Sequence, residues 1–350
     1  MFWYYLEQTE RHARVVPEHA PPCSPLYEDS RSSLFEVSYW KNKINFDVFH
    51  VVADGAGAIE MLQTLVTEYV SLAHDLDLCQ PPRAAMDERM EDGFQKYYKS
   101  DGRSSKRERK PRAYRLPHRG GDLKVYEGVC DVKQVLDAAH RHNTTLTVYL
   151  AAVMFQAIHG GMYVRDRKKP VVLTVPVDLR SYFPSHTARN FFSIMRASYA
   201  FNERSGEFSD ILEQTAAAFK RELTAENLAA RLNTLAALEH NFLLRPIPLF
   251  IKYPVLLLSG LISDVGETAA LSNIGKFQLP DAVAPYVKAF GVFVGTDALQ
   301  LCTCSYNGQL HLGFTTTMRD PSVIRRVFAR LTQDGVSLEV RSNTMYGEGS

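Results

Sequence analysis

The residues best suited to chemistry form the run His50-Val51-Val52-Ala53-Asp54-Gly55, where a predicted strand meets a predicted helix. Upstream, the apolar side chains of Ile44, Phe46 and Val48 alternate with period two, so we expect the histidine to end an apolar strand face. A histidine in apolar surroundings favours its neutral form, and a neutral ring nitrogen accepts a proton near pH 7. The run therefore predicts a general base.

The same run also fits a plainer interpretation, in which a core histidine precedes an aspartate that only caps the next helix. Apolar residues downstream recur at helical spacing and predict a helix over about 56–73. Gly55 and Gly57 are expected to supply the backbone freedom of a sharp turn. The run alone does not decide between the two interpretations.

The composition indicates an ordinary soluble globular protein. The chain has 350 residues, 45% of them hydrophobic and 23% charged, with a formal net charge of +1. This balance argues against a surface that generally binds nucleic acid or coats a membrane. The five cysteines are scattered, and no histidine partner completes a metal site around Cys302 and Cys304. We expect reduced thiols in a cytoplasmic protein and no metal.

No secretory leader or membrane span is expected. Glu7 follows the first aromatic residues at once, and no basic leader precedes them. The most apolar stretch, Tyr253–Ile262, is too short to cross a bilayer and contains Pro254. It is interpreted as a buried helix and as a candidate for the lining of an apolar pocket.

Helical and extended patterns alternate along the chain, which predicts a mixed α/β layered fold. After an irregular loop at 17–33, strands are predicted at 35–39, 44–50, 123–129, 171–177, 190–200, 269–274, 289–294, 300–306 and 310–316. Further helices are predicted at about 132–142, from Thr145 onward, over 208–241 and over 321–333. Asn307-Gly308 predicts a tight hairpin turn.

A run of eight basic residues between Gly102 and Gly121 separates two predicted lobes. It either attracts the phosphates of a nucleotide-bearing donor or forms a solvated linker, and the linker explains it without a ligand. It lacks the interleaved aromatic residues of a nucleic-acid-binding segment. The predicted division is a first lobe over 1–100, a linker over 101–121 and a second lobe over 122–350.

The second half carries Leu271-Ser272-Asn273-Ile274-Gly275-Lys276-Phe277, and Phe290-Gly291-Val292-Phe293-Val294-Gly295 follows. Together with the histidine–aspartate run, these segments resemble the superfamily of CoA-dependent acyltransferases. This superfamily includes chloramphenicol acetyltransferase, dihydrolipoamide acyltransferases, condensation domains of peptide synthetases and alcohol acetyltransferases. The segments Val175–Arg180 and Arg189-Asn190-Phe191 resemble the condensation-domain and alcohol-acetyltransferase branch.

The resemblance implies a two-lobed chloramphenicol acetyltransferase-like fold with mixed sheets and a reaction tunnel between the lobes. Family chains usually carry a further strand–helix–strand portion ahead of the segment that resembles Phe2-Trp3-Tyr4-Tyr5, so an N-terminally shortened, incomplete first lobe is expected. Phe49 stands where many relatives have a second histidine. The Asp-Phe-Gly-Trp-Gly signature of plant relatives is absent, which argues against that branch.

The resemblance also implies roles for single residues. His50 would deprotonate the acceptor, and Asp54 would pair with Arg180, or else with Arg189, and shape the turn. Gly55 would meet a backbone requirement. Two further sets have open alternatives: Ser272 or Asn273 either donates to the oxyanion or shapes a turn before Gly275, and Asn190 and Asp178 either line the tunnel or are structural.

The implied function is transfer of an acyl group, acetyl in the first instance, from acyl-CoA to an alcohol or amine. Acyl-CoA would be a co-substrate, and no permanently bound cofactor is expected. Two alternatives stay open: a condensation-type domain that takes its acyl group from a carrier-protein thioester, and a non-catalytic relative that binds a ligand or partner. A homodimer is one expected way to cover apolar surface left by an incomplete lobe.

Overall fold

The computed structural model describes residues 13–26, 33–78, 85–100, 102–103, 112–117, 122–240 and 266–343. The predicted segments Phe2–Tyr5 and Tyr253–Ile262, and most of the basic run, lie outside these residues. The predicted domain boundaries therefore stay predictions. Among the described residues, no helix is both long and apolar enough to cross a membrane.

A three-stranded sheet precedes the histidine–aspartate run. Strands β2 (Phe35–Trp40) and β3 (Lys43–Val48) form the predicted antiparallel hairpin, with Lys41 in a left-handed turn conformation (φ 53°). Strand β1 (Val15–Pro17) pairs parallel to β2 and was not predicted. Helix α1 (Gly55–His74) follows β3 after a short turn, as the helical spacing predicts.

Two short helices, α2 (Met86–Met90) and α3 (Gly93–Tyr97), come next. Helix α3 packs on an apolar cluster that belongs to later parts of the chain, formed by Leu179, Phe191, Leu228 and Leu232. Residues 93–97, near the start of the chain, therefore pack against side chains from residues 179–232.

A seven-stranded mixed sheet forms the rest of the fold. Its strands are β4 (Lys124–Asp131), β5 (Val171–Asp178), β6 (Phe192–Tyr199), β7 (Ala269–Lys276), β8 (Leu299–Tyr306), β9 (Gln309–Thr316) and β10 (Leu338–Ser342). The spatial order is β10-β4-β9-β8-β7-β5-β6. β7 lies parallel to β5 and β8, and the other neighbours are antiparallel. Asn307 and Gly308, both with positive φ, form the predicted turn between β8 and β9.

The helices that cover one face of this sheet and form the main core are α4 (Val132–Arg141), α5 (Leu146–His159), α6 (Phe208–Glu222) and α8 (Ser322–Gln333). Helix α7 (Ala225–His240) contributes Leu228 and Leu232 to the separate cluster on which α3 packs. Helix α5 is almost wholly buried, and the hydroxyl of Thr145 caps it, as its predicted start requires. Leu173, Leu301 and Phe314 pack against it from the sheet.

The opposite face of the sheet, which we call the front face, carries more polar side chains. Strand register places Phe192, Arg196, Thr174, Ser272, Cys302 and His311 on it. Helix α1 contacts this face, because a Cβ on its Gly55 would lie 3.1 Å from the Ile274 side chain. Gln63 of α1 also donates to the Gln278 carbonyl at 2.8 Å.

The structure departs from the predicted elements in three further places. Residues 289–294 form no strand: this segment crosses the front of β9, where Thr315 donates to the Val294 carbonyl and Gly291 lies against the ring of His311. The predicted helix over 208–241 is two helices, because the Thr224 hydroxyl starts a new one by accepting from Asn227 N. Strand β10 was missed. The mixed α/β class with mixed sheets is confirmed.

Candidate active site

A four-residue segment of the second half, Arg189–Phe192, holds the turn formed by residues 50–55, which we call the His–Asp turn. The Arg189 carbonyl accepts from Arg180 at 2.7 Å, and the Asn190 amide donates to the carbonyls of His50 and Val51 at 2.9 and 3.3 Å. Phe191 N donates to Asp54 at 2.8 Å. The sequence predicted a strand from Asn190, but β6 begins only at Phe192. The Phe191 carbonyl still accepts from Leu179 N at 3.2 Å in the register of β5, while Arg189, Asn190 and Phe191 N bind the turn.

Asp54 is the most tightly held residue of the turn. It is 5% exposed and caps α1, accepting from Gly57 N at 3.0 Å. Arg180 donates to both of its carboxylate oxygens, at 2.8 and 3.2 Å. With the bond from Phe191, both oxygens are satisfied, as a buried carboxylate requires.

Arg180 is fixed as firmly as its partner. It also donates to the Asp178 carboxylate at 2.9 Å and to the Thr187 carbonyl at 2.9 and 3.1 Å. Burial disfavours its charge, but hydrogen bonds and attraction from Asp54 and then Asp178 outweigh this, so the pKa of the guanidinium is raised. The second residue expected as a partner, Arg189, lies instead 3.7 Å from Asp92 and reaches the pair through its backbone carbonyl.

His50 differs from the expectation of an apolar, desolvated ring. Strand β3 ends at Val48. One more bond, from Phe49 N to the Leu34 carbonyl, continues its register, and Val52 N then bonds the Phe49 carbonyl and closes a turn. His50 therefore lies in the turn and is exposed. Its ring packs against Phe192, with centroids 5.5 Å apart. The histidine is thus held by its backbone and one ring contact, while the ring is open to reactants.

The glycines of the turn serve close approach rather than unusual backbone angles. Neither Gly55 nor Gly57 has a positive φ, so the expected need for backbone freedom is wrong. A Cβ on Gly55 would press on Ile274, and one on Gly57 would overlap the Ala188 carbonyl oxygen. The small residues let the second half pack directly on α1.

Ser272 and Asn273 occupy different environments. The Asn273 amide donates to the Thr147 hydroxyl at 2.8 Å, and its oxygen accepts from Gly275 N and the Thr303 hydroxyl at 3.0 and 3.2 Å. These bonds hold a bulge in β7 at which Gly275 has φ 84°. Ser272 lies on the front face, and in the part of the chain that the structure describes its hydroxyl has no hydrogen-bond partner. Ser272 therefore keeps its hydroxyl as a donor, whereas Asn273 uses one of its two amide N–H groups to hold the bulge.

Asn190 is oriented by its own contacts. Its amide nitrogen faces the two carbonyls of the His–Asp turn, because only the N–H groups can donate to them. Among the described residues its buried Oδ1 has no partner. The N–H donors of Asn190 are thus directed at the turn, and its geometry fits the structural alternative.

Two contributors to the site escaped sequence reasoning. Phe192 contacts the His50 ring, and its place directly after Asn190-Phe191 was the available signal. Thr187 accepts two bonds from Arg180 and donates to the Glu91 carbonyl at 2.6 Å; no sequence pattern marked it.

The described residues include no group of three or more His, Cys, Asp or Glu side chains that could hold a metal ion. Cys302 and Cys304 are free and buried, and burial raises the pKa of the Cys302 thiol to about 11. Such a thiol is protonated at neutral pH and is a poor nucleophile.

Comparisons with known proteins find similarity in structure only. No family model and no curated protein match the chain. Fusarium graminearum TRI101, solved with coenzyme A and T-2 mycotoxin, matches over 93% of this chain and 73% of its own, with TM-score 0.57 and 12% identity. Polyketide synthase associated protein 5 from Mycobacterium tuberculosis matches over 91% and 80%, with TM-score 0.54 and 13% identity.

A third structure, the TRI3 trichothecene 15-O-acetyltransferase from Fusarium sporotrichioides, matches over 87% of this chain and 70% of its own, with TM-score 0.53 and 13% identity. At these identities the likeness concerns the fold. The chain has the chloramphenicol acetyltransferase-like fold that the sequence resemblance predicted.

Proposed function

We propose that this chain is an acyltransferase that moves an acyl group, acetyl in the first instance, from acyl-CoA to an alcohol or amine, with His50 as general base. One observation carries the proposal: the second half fixes the His–Asp turn through Asp54 and Asn190 and leaves the His50 ring exposed. A base must be held in place and yet reach its substrate.

In the proposed reaction, a ring nitrogen of His50 takes the proton of the acceptor hydroxyl or amine as its oxygen or nitrogen attacks the thioester carbonyl. The carbonyl oxygen becomes an oxyanion, to which the Ser272 hydroxyl donates a hydrogen bond. The intermediate collapses, the carbon–sulfur bond breaks, and the thiolate takes the proton back from the imidazolium. Proton and electron pairs balance without a metal or redox partner.

The comparisons support the donor chemistry by analogy. TRI101 is described with coenzyme A, and TRI3 is described as an O-acetyltransferase.

Thiol release tests the proposal. Acetyl-, butyryl- and octanoyl-CoA are incubated with pooled alcohols and amines, and free thiol is followed with a thiol-reactive dye. We expect acceptor-dependent release that His50→Ala lowers by about 10²–10⁴-fold, the usual contribution of a positioned base. His50 is exposed, so this variant should keep its stability.

The same assay separates the alternatives. Release only from an acyl group on a carrier-protein thioester would indicate a condensation-type domain. Full folding without release from any thioester, with ligand binding unchanged in His50→Ala, would contradict an acyltransferase and favour a binding module.

A further inference from the structure

Strand β6 carries both the residue that contacts His50 and, further along its front face, an arginine with unusual surroundings. Phe192, at the start of this strand, contacts the His50 ring. Arg196 lies on the same face four residues later, opposite Thr174 of β5. At about 3.4 Å per residue this places its backbone about 14 Å from that of Phe192.

Arg196 has no partner among the residues that the structure describes. The residue is half-buried, and its Nε is buried without a hydrogen bond. Within the described parts of the chain, its guanidinium makes no hydrogen bond or ion pair. Arg180, a similarly buried arginine, binds two carboxylates and two carbonyl groups. Buried charges are normally paired, so an unpaired one calls for an explanation.

The neighbours of Arg196 do not neutralise it. Across the strands its front-face neighbours are Thr174 and, beyond it, Ala270, and along β6 they are Ile194 and Ser198. None of these side chains carries a charge. A planar guanidinium with free donors suits a phosphate or a carboxylate, which it can bind with two parallel hydrogen bonds.

We propose that Arg196 binds an anionic group, phosphate or carboxylate, on a substrate whose reacting end lies at His50. The inference rests on the proposed acyl transfer for the position of the reacting end. Two sources carry this chemistry: the phosphates of a CoA donor, joined to the thiol by the pantetheine arm, or a carboxylate at the far end of a long acceptor.

Calorimetric binding tests the proposal without requiring turnover. The probes are CoA and pantetheine, which differ in the nucleotide phosphates, and ω-hydroxylaurate and its methyl ester, which differ in the carboxylate. The variants are Arg196→Gln and Arg196→Lys. Arg325→Gln is the control, because Arg325 is a 72% exposed arginine on α8. Urea unfolding confirms that each variant is folded.

Loss of a charge-assisted contact predicts about 10- to 100-fold weaker binding of one anionic probe to Arg196→Gln, with its neutral counterpart unchanged. Arg196→Lys should fall between that variant and the unmodified chain, and Arg325→Gln should bind as the unmodified chain does. An effect on CoA identifies the donor as the source, and an effect on ω-hydroxylaurate identifies the acceptor.

The proposal is overturned if Arg196→Gln binds all four probes within about twofold of the unmodified chain. It is also overturned if charged and neutral probes weaken equally, or if the unmodified chain binds no anionic probe. A chain that binds CoA through Arg196 but releases no thiol would contradict the proposed function and keep this site.

Discussion

Asp54 and His50 lie four residues apart in one turn, yet their side chains differ in burial and in the number of contacts. Asp54 is 5% exposed and accepts hydrogen bonds from Gly57, Arg180 and Phe191. His50 is exposed, and its side chain makes one ring contact with Phe192. The second half of the chain supplies most of the contacts at both ends.

This difference separates positioning from chemistry. A carboxylate with every lone-pair direction occupied and an arginine against it is suited to fixing a turn rather than to carrying a proton. An exposed imidazole on a backbone held by Asn190 is suited to proton transfer. We therefore expect substitutions at the Asp54 end to reduce stability and substitutions at the His50 end to reduce rate.

Breaking the ion pair should have the largest effect on folding. Arg180→Met leaves Asp54 buried without its charged partner, and we expect the free energy of unfolding to fall by about 3–5 kcal/mol. Urea denaturation measures the change. Arg325→Met, at an exposed arginine, should lie within about 0.5 kcal/mol of the unmodified chain. Equal stability of both variants would contradict a structural role for the pair.

Asn190→Asp tests whether the hydrogen bonds from the Asn190 amide to the His–Asp turn set the position of His50. The variant places a carboxylate oxygen against the carbonyls of His50 and Val51, so two hydrogen bonds become repulsive contacts. We expect kcat to fall about 10- to 100-fold, while KM for the thioester stays within about twofold. A change in KM alone would indicate that Asn190 contacts substrate instead of positioning His50.

Substitutions of Gly57 and Gly55 should reduce stability less than loss of the ion pair, and each variant serves as a control for the other. Gly57→Ala drives a methyl into the Ala188 carbonyl, which cannot move freely, and should destabilise the protein by about 1–3 kcal/mol. Gly55→Ala presses only on the end of the Ile274 side chain, which can rotate, so its cost should be below about 1 kcal/mol. Thermal or urea unfolding of both variants checks the order, and the reverse order would contradict the packing argument.

Sequence patterns predicted the elements that have a strong period and marked ends. The hairpin before His50, the helix capped by Thr145 and the turn at Asn307-Gly308 all depend on local chemistry, and the structure contains each of them. Residues 289–294 have a strand-like composition, but Gly291 lets the segment pass over the His311 ring and cross β9. A sequence window contains no information about that crossing.

The candidate site was predictable only in part, for the same reason. The resemblance named Asp54 and Arg180 as partners, and the structure joins them at 2.8 Å. The exposure of His50 depends on where β3 stops pairing, and the orientation of the Asn190 amide depends on two carbonyls some 140 residues away. That Arg196 has no partner among the described residues also needed the fold, because a sequence does not show which charges are paired.

The central claim is that His50 performs the proton transfer and that Asp54 stabilises the turn. A comparison of His50→Ala with Asp54→Asn in one experiment tests it. Thiol release and urea unfolding are measured on each, and rates are corrected for the folded fraction. The account predicts that His50→Ala loses about 10²–10⁴-fold in rate at unchanged stability. Asp54→Asn should lose stability first and recover much of its rate after correction. Full thiol release by His50→Ala, or a stable Asp54→Asn as inactive as His50→Ala, would contradict the account.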